Sequence, residues 1–194
     1  MGAPMNADDI RRIVADSVAL KERFFAESAP LVLEVGRRIA ESLRSGGRVL
    51  AFGNGGSAAD AQHFVAELVG RFQRERAGLS AIVLTTDPSV VTSIGNDTGF
   101  AAIFRRQVEA HGRPGDVALG ISTSGRSPNV IEALRAARQR GLLTVGLTGN
   151  GGGELGGLVH HLVDVPHGDT QRIQEVHSMV LHVLCQVIEE AAPR

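Results

Sequence analysis

Cysteine is almost missing: Cys185 is the only one in 194 residues. That excludes an internal disulfide framework and any CxxC metal site, and it suits a reducing compartment. Neither sign of charge is in excess. Twenty Lys and Arg against 21 Asp and Glu leave a formal net charge of −1, without the basic surplus by which nucleic-acid and membrane-surface binders are recognised. No apolar run approaches the ~20 residues of a membrane span. The opening MGAPMNADD has no basic segment followed by an apolar one, so it does not read as a secretory signal, and Asn6 breaks the myristoylation pattern. There is no internal repeat, low-complexity tract or interdomain linker. The expectation is a single cytoplasmic domain over residues 1–194, with neither nucleic acid nor membrane as partner.

What is present is an alternation of helix and strand. Hydrophobic residues make up 43% of the chain, enough for a substantial core. Residues 8–27 carry an apolar stripe (Ile13, Val14, Val18, Leu20, Phe24, Phe25) and read as a helix. Pro30 is expected to open a second helix that runs to about Ser45 and stops at Gly46-Gly47. This helical pair, residues 1–46, is assigned to packing and oligomerisation. Five short apolar runs follow, at 48–52, 81–84, 116–121, 143–147 and 161–165. Helical segments separate them at 57–70, 87–94, 101–111 and 129–140, and 171–190 closes the chain. Continuous apolar strands between helices indicate a parallel sheet covered on both faces, hence a doubly wound α/β fold. In such folds the ligand lies beyond the carboxyl ends of the strands.

Two strand-to-helix junctions carry the chemistry. The first runs Gly53-Asn54-Gly55-Gly56-Ser57. Glycine there tolerates positive φ and lets a ligand approach the backbone, Ser57 is placed to cap the next helix, and a helix N-terminus attracts a phosphate. The spacing matches neither G-x-G-x-x-G nor G-x-x-x-x-G-K-[ST]. The second junction is Ile121-Ser122-Thr123-Ser124-Gly125-Arg126-Ser127. Its four hydroxyls at a helix start suit a phosphate ester. His63 and Glu67 stand four residues apart on one helix face, with Gln174 and His182 on the last helix. Imidazole and carboxylate are ligand types that zinc accepts, and an amide oxygen is a less usual one.

Those segments carry a specific resemblance. GNGGSAADAQH-x-x-x-E at 53–67, GND at 95–97, ISTSG-x-S at 121–127 and RIQE-x-H with a further His182 are similar to the phosphoheptose isomerases. These enzymes interconvert sedoheptulose 7-phosphate and D-glycero-D-manno-heptose 7-phosphate in the supply of heptose for lipopolysaccharide or another surface glycan. The resemblance runs over nearly the whole chain. It implies a flavodoxin-like sheet of the sugar isomerase (SIS) type and a homotetramer with active sites between subunits. The metal ligands it implies are His63, Glu67, Gln174 and His182, for one zinc per subunit. The substrate contacts are Asn54, Gly55, Gly56, Ser57, Glu67, Asn96, Asp97, Ser122, Thr123, Ser124, Ser127 and Gln174. Glu67 and His182 are the implied proton-transfer pair, and Arg71 is one turn beyond Glu67.

Two rivals remain at this level. A related SIS protein binds the bacterial replication initiator without catalysis; this chain keeps Glu67 and His182, which favours the enzyme. An isomerase of a different phosphosugar would use the same phosphate loops. The segment 71–76, with its mixed charge, reads as a solvated helix end. His160, His161 and His167 read as surface or packing residues, and Cys185 as a small buried apolar one.

Overall fold

The computed structural model describes residues 4–192; Met1–Ala3, where the leader reading begins, lie outside them. Helix α1 spans Ala7–Arg44. Asn6 accepts from the amides of Asp8 and Asp9, and the Asp9 carboxylate accepts from the Asn6 amide, so the helix opens on a reciprocal capping box. The expected break at Pro30 does not occur: residues 7–44 form one helix. A proline inside a helix removes one hydrogen bond and costs roughly 3 kcal/mol. Here Pro30 is on the exposed face, while Leu20, Phe24, Val32, Val35 and Ile39 keep one buried stripe in phase across it. Burying five such side chains, at about 1.5–3 kcal/mol each, outweighs the lost bond.

Strands β1 (Val49–Gly53), β2 (Ala81–Val83), β3 (Val117–Ser122), β4 (Leu143–Gly149) and β5 (His161–Val165) form one all-parallel sheet in the order β2-β1-β3-β4-β5. This is the flavodoxin-like order, with its switch point between β1 and β3. In β1, Val49 and Ala51 join the core beneath α1, α2 (Gly56–Val69) and α6 (Thr170–Ala191), whereas Leu50 and Phe52 join the core beneath α4 (Ile103–His111) and α5 (Pro128–Gln139). Helix α3 (Pro88–Asp97) follows β2, and a 3-10 turn at 100–102 leads into α4. Strand and helix limits fall within about three residues of the sequence expectation; α1 is the departure. No described helix is long and apolar enough to cross a membrane.

The layout positions the site simply. The chain leaves β1 for one face of the sheet and β3 for the other. The two glycine- and serine-rich junctions therefore flank the switch-point crevice.

Candidate active site

Helix α2 begins at Gly56 with Gly55 as its cap residue (φ 54°), and no side chain caps it. Ser57 thus sits inside the first turn, 3% exposed, instead of capping it. The left-handed turn at Gly55 brings the chain into the helix one residue earlier than the cap reading required. Gln174, on α6, lies against this loop: a Cβ on Gly56 would stand 2.5 Å from its amide nitrogen. In the second junction the Ser122 and Ser127 hydroxyls are 2.9 Å apart, the Gly125 amide donates to the Ser122 carbonyl at 2.9 Å, and the Arg126 amide donates to the Ser124 hydroxyl at 3.3 Å. Thr123 and Ser124 remain partly or fully exposed at the crevice.

The two junctions are joined by a residue that the sequence reading missed. Asn54 and Asn129 exchange two amide hydrogen bonds, at 2.9 and 2.8 Å. Asn129 is 2% exposed. The available signal was an asparagine in the first turn of a helix that starts at Pro128, just after a strand.

Two turns into α2, His63 Nε2 is 3.2 Å from Glu67 Oε1. His182 Nε2, from α6, is 3.5 Å from His63 Nε2, and the imidazoles meet edge to face with centroids 4.9 Å apart. Donor atoms around a tetrahedral zinc with bonds of about 2.0–2.1 Å are separated by about 3.3–3.4 Å. Both pairwise spacings fit that edge, and the donor types suit zinc. The approaches are pairwise only: among the described residues no group of three or more His, Cys, Asp or Glu could hold a metal ion.

Asp60 was also missed, although it precedes His63 by three residues and Glu67 by seven, a helical-face spacing. Its carboxyl accepts from the Ser178 hydroxyl at 3.0 Å. Burial pushes the carboxyl above its ordinary range; the Ser178 bond and the nearby His63 and His182 pull in the other direction.

The other expected residues make their hydrogen bonds and ion pairs away from the two junctions. Asn96 and Asp97 bond each other at 2.8 Å on the exposed end of α3, and no hydrogen bond among the described residues joins them to either junction. Arg71 pairs with Glu75 at 3.6 Å on the surface and not with Glu67. The segment after Val69 is no helix end. Its amides at Phe72, Gln73 and Arg74 donate to the Glu189 carboxylate at 2.8–3.1 Å, and Arg76, with only 2% of its side chain exposed, pairs with Glu189 at 3.1 Å. The solvated reading holds for Arg71 and Glu75 and fails for Arg76. His160 accepts from the Thr144 amide at 3.0 Å, a packing role. Cys185 is buried, and burial pushes its thiol up to about 12.

Residues 14–149 match the SIS domain family. The phosphoheptose isomerase of Nitratidesulfovibrio vulgaris is 53% identical over 182 residues, covering 92% of this chain and 88% of the relative. The chain belongs to the phosphoheptose isomerase family. The solved phosphoheptose isomerase from Neisseria gonorrhoeae superposes with a TM-score of 0.90 at 42% identity, over 94% of this chain and 98% of that one. The one from Francisella tularensis gives 0.92 at 35% identity, over 96% and 100%. This chain is accordingly an isomerase, and its α/β sheet is the sheet of those structures.

Proposed function

We propose that this isomerase interconverts sedoheptulose 7-phosphate and D-glycero-D-manno-heptose 7-phosphate through an enediol, supplying heptose for a lipopolysaccharide or other surface glycan in the cytoplasm. One observation carries the reading: Glu67 and His63, on the helix that the first phosphate-type junction opens, and His182 on α6 approach pairwise to 3.2 and 3.5 Å.

The ester phosphate would sit between the α2 start and the hydroxyls of Ser122, Thr123, Ser124 and Ser127, fixing the far end of the sugar. The Glu67 carboxylate takes a proton from C1 of the ketose while His182 gives one to the C2 oxygen, leaving the neutral enediol. Glu67 then returns its proton to C2, and His182 accepts the proton of the C1 hydroxyl as the aldehyde forms. Protons and charge balance over the two steps. Asn54, Gly55, Gly56, Ser57, Asn96, Asp97 and Gln174 would complete the contacts to the sugar. To hold one zinc per subunit, His63, Glu67, Gln174 and His182 would have to close from their pairwise approaches into a single set of donors; a bound ion would polarise the sugar's carbonyl.

We place the whole chain in one SIS domain and assign it to a homotetramer. Ile10, Val14 and Val18 on α1, and Met179 on α6, are large apolar side chains exposed on the single subunit. Sedimentation at micromolar protein tests this assignment; a monomer would remove it.

The decisive experiment is turnover of sedoheptulose 7-phosphate by purified protein, before and after chelation and zinc re-addition. Glu67→Gln should lose about 10²–10⁴-fold in kcat, the usual range for an acid–base group, while keeping its fold. A fully active Glu67→Gln would remove the role given to that carboxylate. Restoration by zinc supports the metal, and activity indifferent to complete metal removal sinks it.

A further inference from the structure

After β4 the chain does something unusual. Asn150, Gly151, Gly152 and Gly153 take φ of 55°, 87°, 75° and 53°, four consecutive residues in the left-handed region. L side chains rarely adopt this conformation singly. The run is pinned from beneath. The Asn150 amide donates to the Val165 carbonyl at 3.1 Å, and the Gly151 amide donates to the Asp164 carboxylate at 3.1 Å. The other Asp164 oxygen accepts from the Thr148 hydroxyl at 3.1 Å. Thr148 is itself tied to the last helix, because its carbonyl accepts from His177 Nε2 at 2.9 Å.

The far side of the run meets the hydroxyl loop backbone to backbone. The Glu154 amide donates to the Gly125 carbonyl at 3.0 Å. A Cβ on Gly153 would stand 2.7 Å from both the Ser124 and the Gly125 carbonyl oxygens, and a Cβ on Gly125 would run into the Gly152 carbonyl. Gly125 is itself left-handed, at φ 61°. Only residues without Cβ can bring two chains together in this way. Gly151, in contrast, faces open space, with nothing within 4 Å of the Cβ it lacks.

We infer that residues 150–153 are a positioning buttress for the Ser122–Ser127 loop: they set its shape, and through it the affinity for the phosphate end of the substrate, without touching the substrate. The inference rests on the phosphosugar reading above for its ligand. The backbone contact on which it is built stands independently of that reading.

The test compares Gly153→Ala with Gly151→Ala. Both put a side chain at positive φ, but only Gly153→Ala pushes on the loop. Asp164→Ala is the third variant, since it releases the Gly151 amide without adding bulk. Four quantities are read: kcat and KM on sedoheptulose 7-phosphate, the inhibition constant of inorganic phosphate, and amide hydrogen exchange of residues 122–127 in the free protein. Gly153→Ala should raise KM and the phosphate inhibition constant about tenfold or more with kcat within about threefold, the pattern of lost uniform binding. Exchange in the loop should quicken. Gly151→Ala should stay within about twofold of the parent on the same readings, and Asp164→Ala should move them in the direction of Gly153→Ala.

Equal effects of Gly153→Ala and Gly151→Ala, or no effect of either on KM and exchange, would overturn the buttress. If Gly153→Ala does not fold, Asp164→Ala decides: an unchanged KM with unchanged loop exchange overturns it. If the parent protein neither turns over the sugar phosphate nor is inhibited by phosphate, the substrate reading fails. The exchange comparison then decides the buttress by itself.

Discussion

Phe72 lies face to face with His182, ring centroids 5.9 Å apart and planes inclined by 23°. With His63 meeting the same imidazole edge-on, His182 is held on two sides although it is exposed to solvent. An aromatic contact of this kind contributes about 0.5–1.5 kcal/mol beyond burial. Phe72→Leu keeps apolar volume but loses the flat face. It should lower kcat about three- to tenfold at nearly constant melting temperature, the rate equivalent of that energy. Steady-state kinetics beside a melting curve checks this; unchanged kcat would make Phe72 mere covering.

The loop that carries Phe72 depends on one carboxylate. Glu189 accepts three amides and pairs with the buried Arg76. Burial by itself would raise the Glu189 carboxyl. The three amides and Arg76 outweigh it and hold the carboxyl below its ordinary value of 4.5. Glu189→Gln leaves Arg76 buried without its counter-ion, at a cost of about 3–5 kcal/mol. For a chain of this size that corresponds to a melting temperature lower by roughly 10 °C, measurable by calorimetry. The sign also follows. A depressed folded pKa stabilises above the free value of 4.5 and fades as pH falls through it.

Asn54 and Asn129 couple the two junctions across the switch point. Asn129→Ala removes both bonds and leaves the half-buried Asn54 amide unpaired, for an expected loss of about 1–3 kcal/mol in stability. KM for the sugar phosphate should rise more than kcat falls. A double-mutant cycle with Asn54→Ala should show coupling of at least about 0.5 kcal/mol; strict additivity would mean that the pair holds nothing together.

His177 gives a pH signature. It is 0% exposed, and its Nε2–H donates to the Thr148 carbonyl, while Nδ1 is buried without a partner. Burial lowers its pKa to about 4, against weaker opposing effects of the Thr148 bond and Asp164. Because the folded value is below the free value of 6.5, the neutral ring contributes full stability above pH 6.5. That contribution is lost progressively as pH falls from 6.5 towards 4. The linked energy is on the order of 3 kcal/mol. Denaturant titrations between pH 7 and 4.5 should show a shallower decline for His177→Gln than for the parent. Parallel declines would refute the linkage.

The alternation of strands and helices was plain in the sequence because each strand is a short apolar run between breakers, and the two junctions follow directly from it. His63 with Glu67 was legible as an i, i+4 pair. The features that were not legible depend on distant partners. Asn129 matters because of Asn54, 75 residues away, and Arg76 because of Glu189, 113 residues away. No local pattern announces either. Pro30 misled for a related reason: whether a proline ends a helix depends on which face it occupies, and the in-phase stripe from Leu20 to Ile39 had to be weighed against it. Among the histidines of α6, the one inside the apolar run, His182, is exposed, while His177 is buried. The helix is amphipathic around its axis, and nearness in sequence to apolar residues does not reveal which side faces the sheet.

The long first helix finds its partner at the other end of the chain. Ser17 donates to Glu175 across a separation of 158 residues, and Arg172 donates to the Ile13 carbonyl across 159. During synthesis, α1 is therefore made well before α6 and has no α6 to dock on until residues 170–191 emerge. Its buried stripe stays open to misassociation for that whole interval. Docking of α1 on α6 is a late event, and any truncation that removes α6 leaves α1 permanently without its partner.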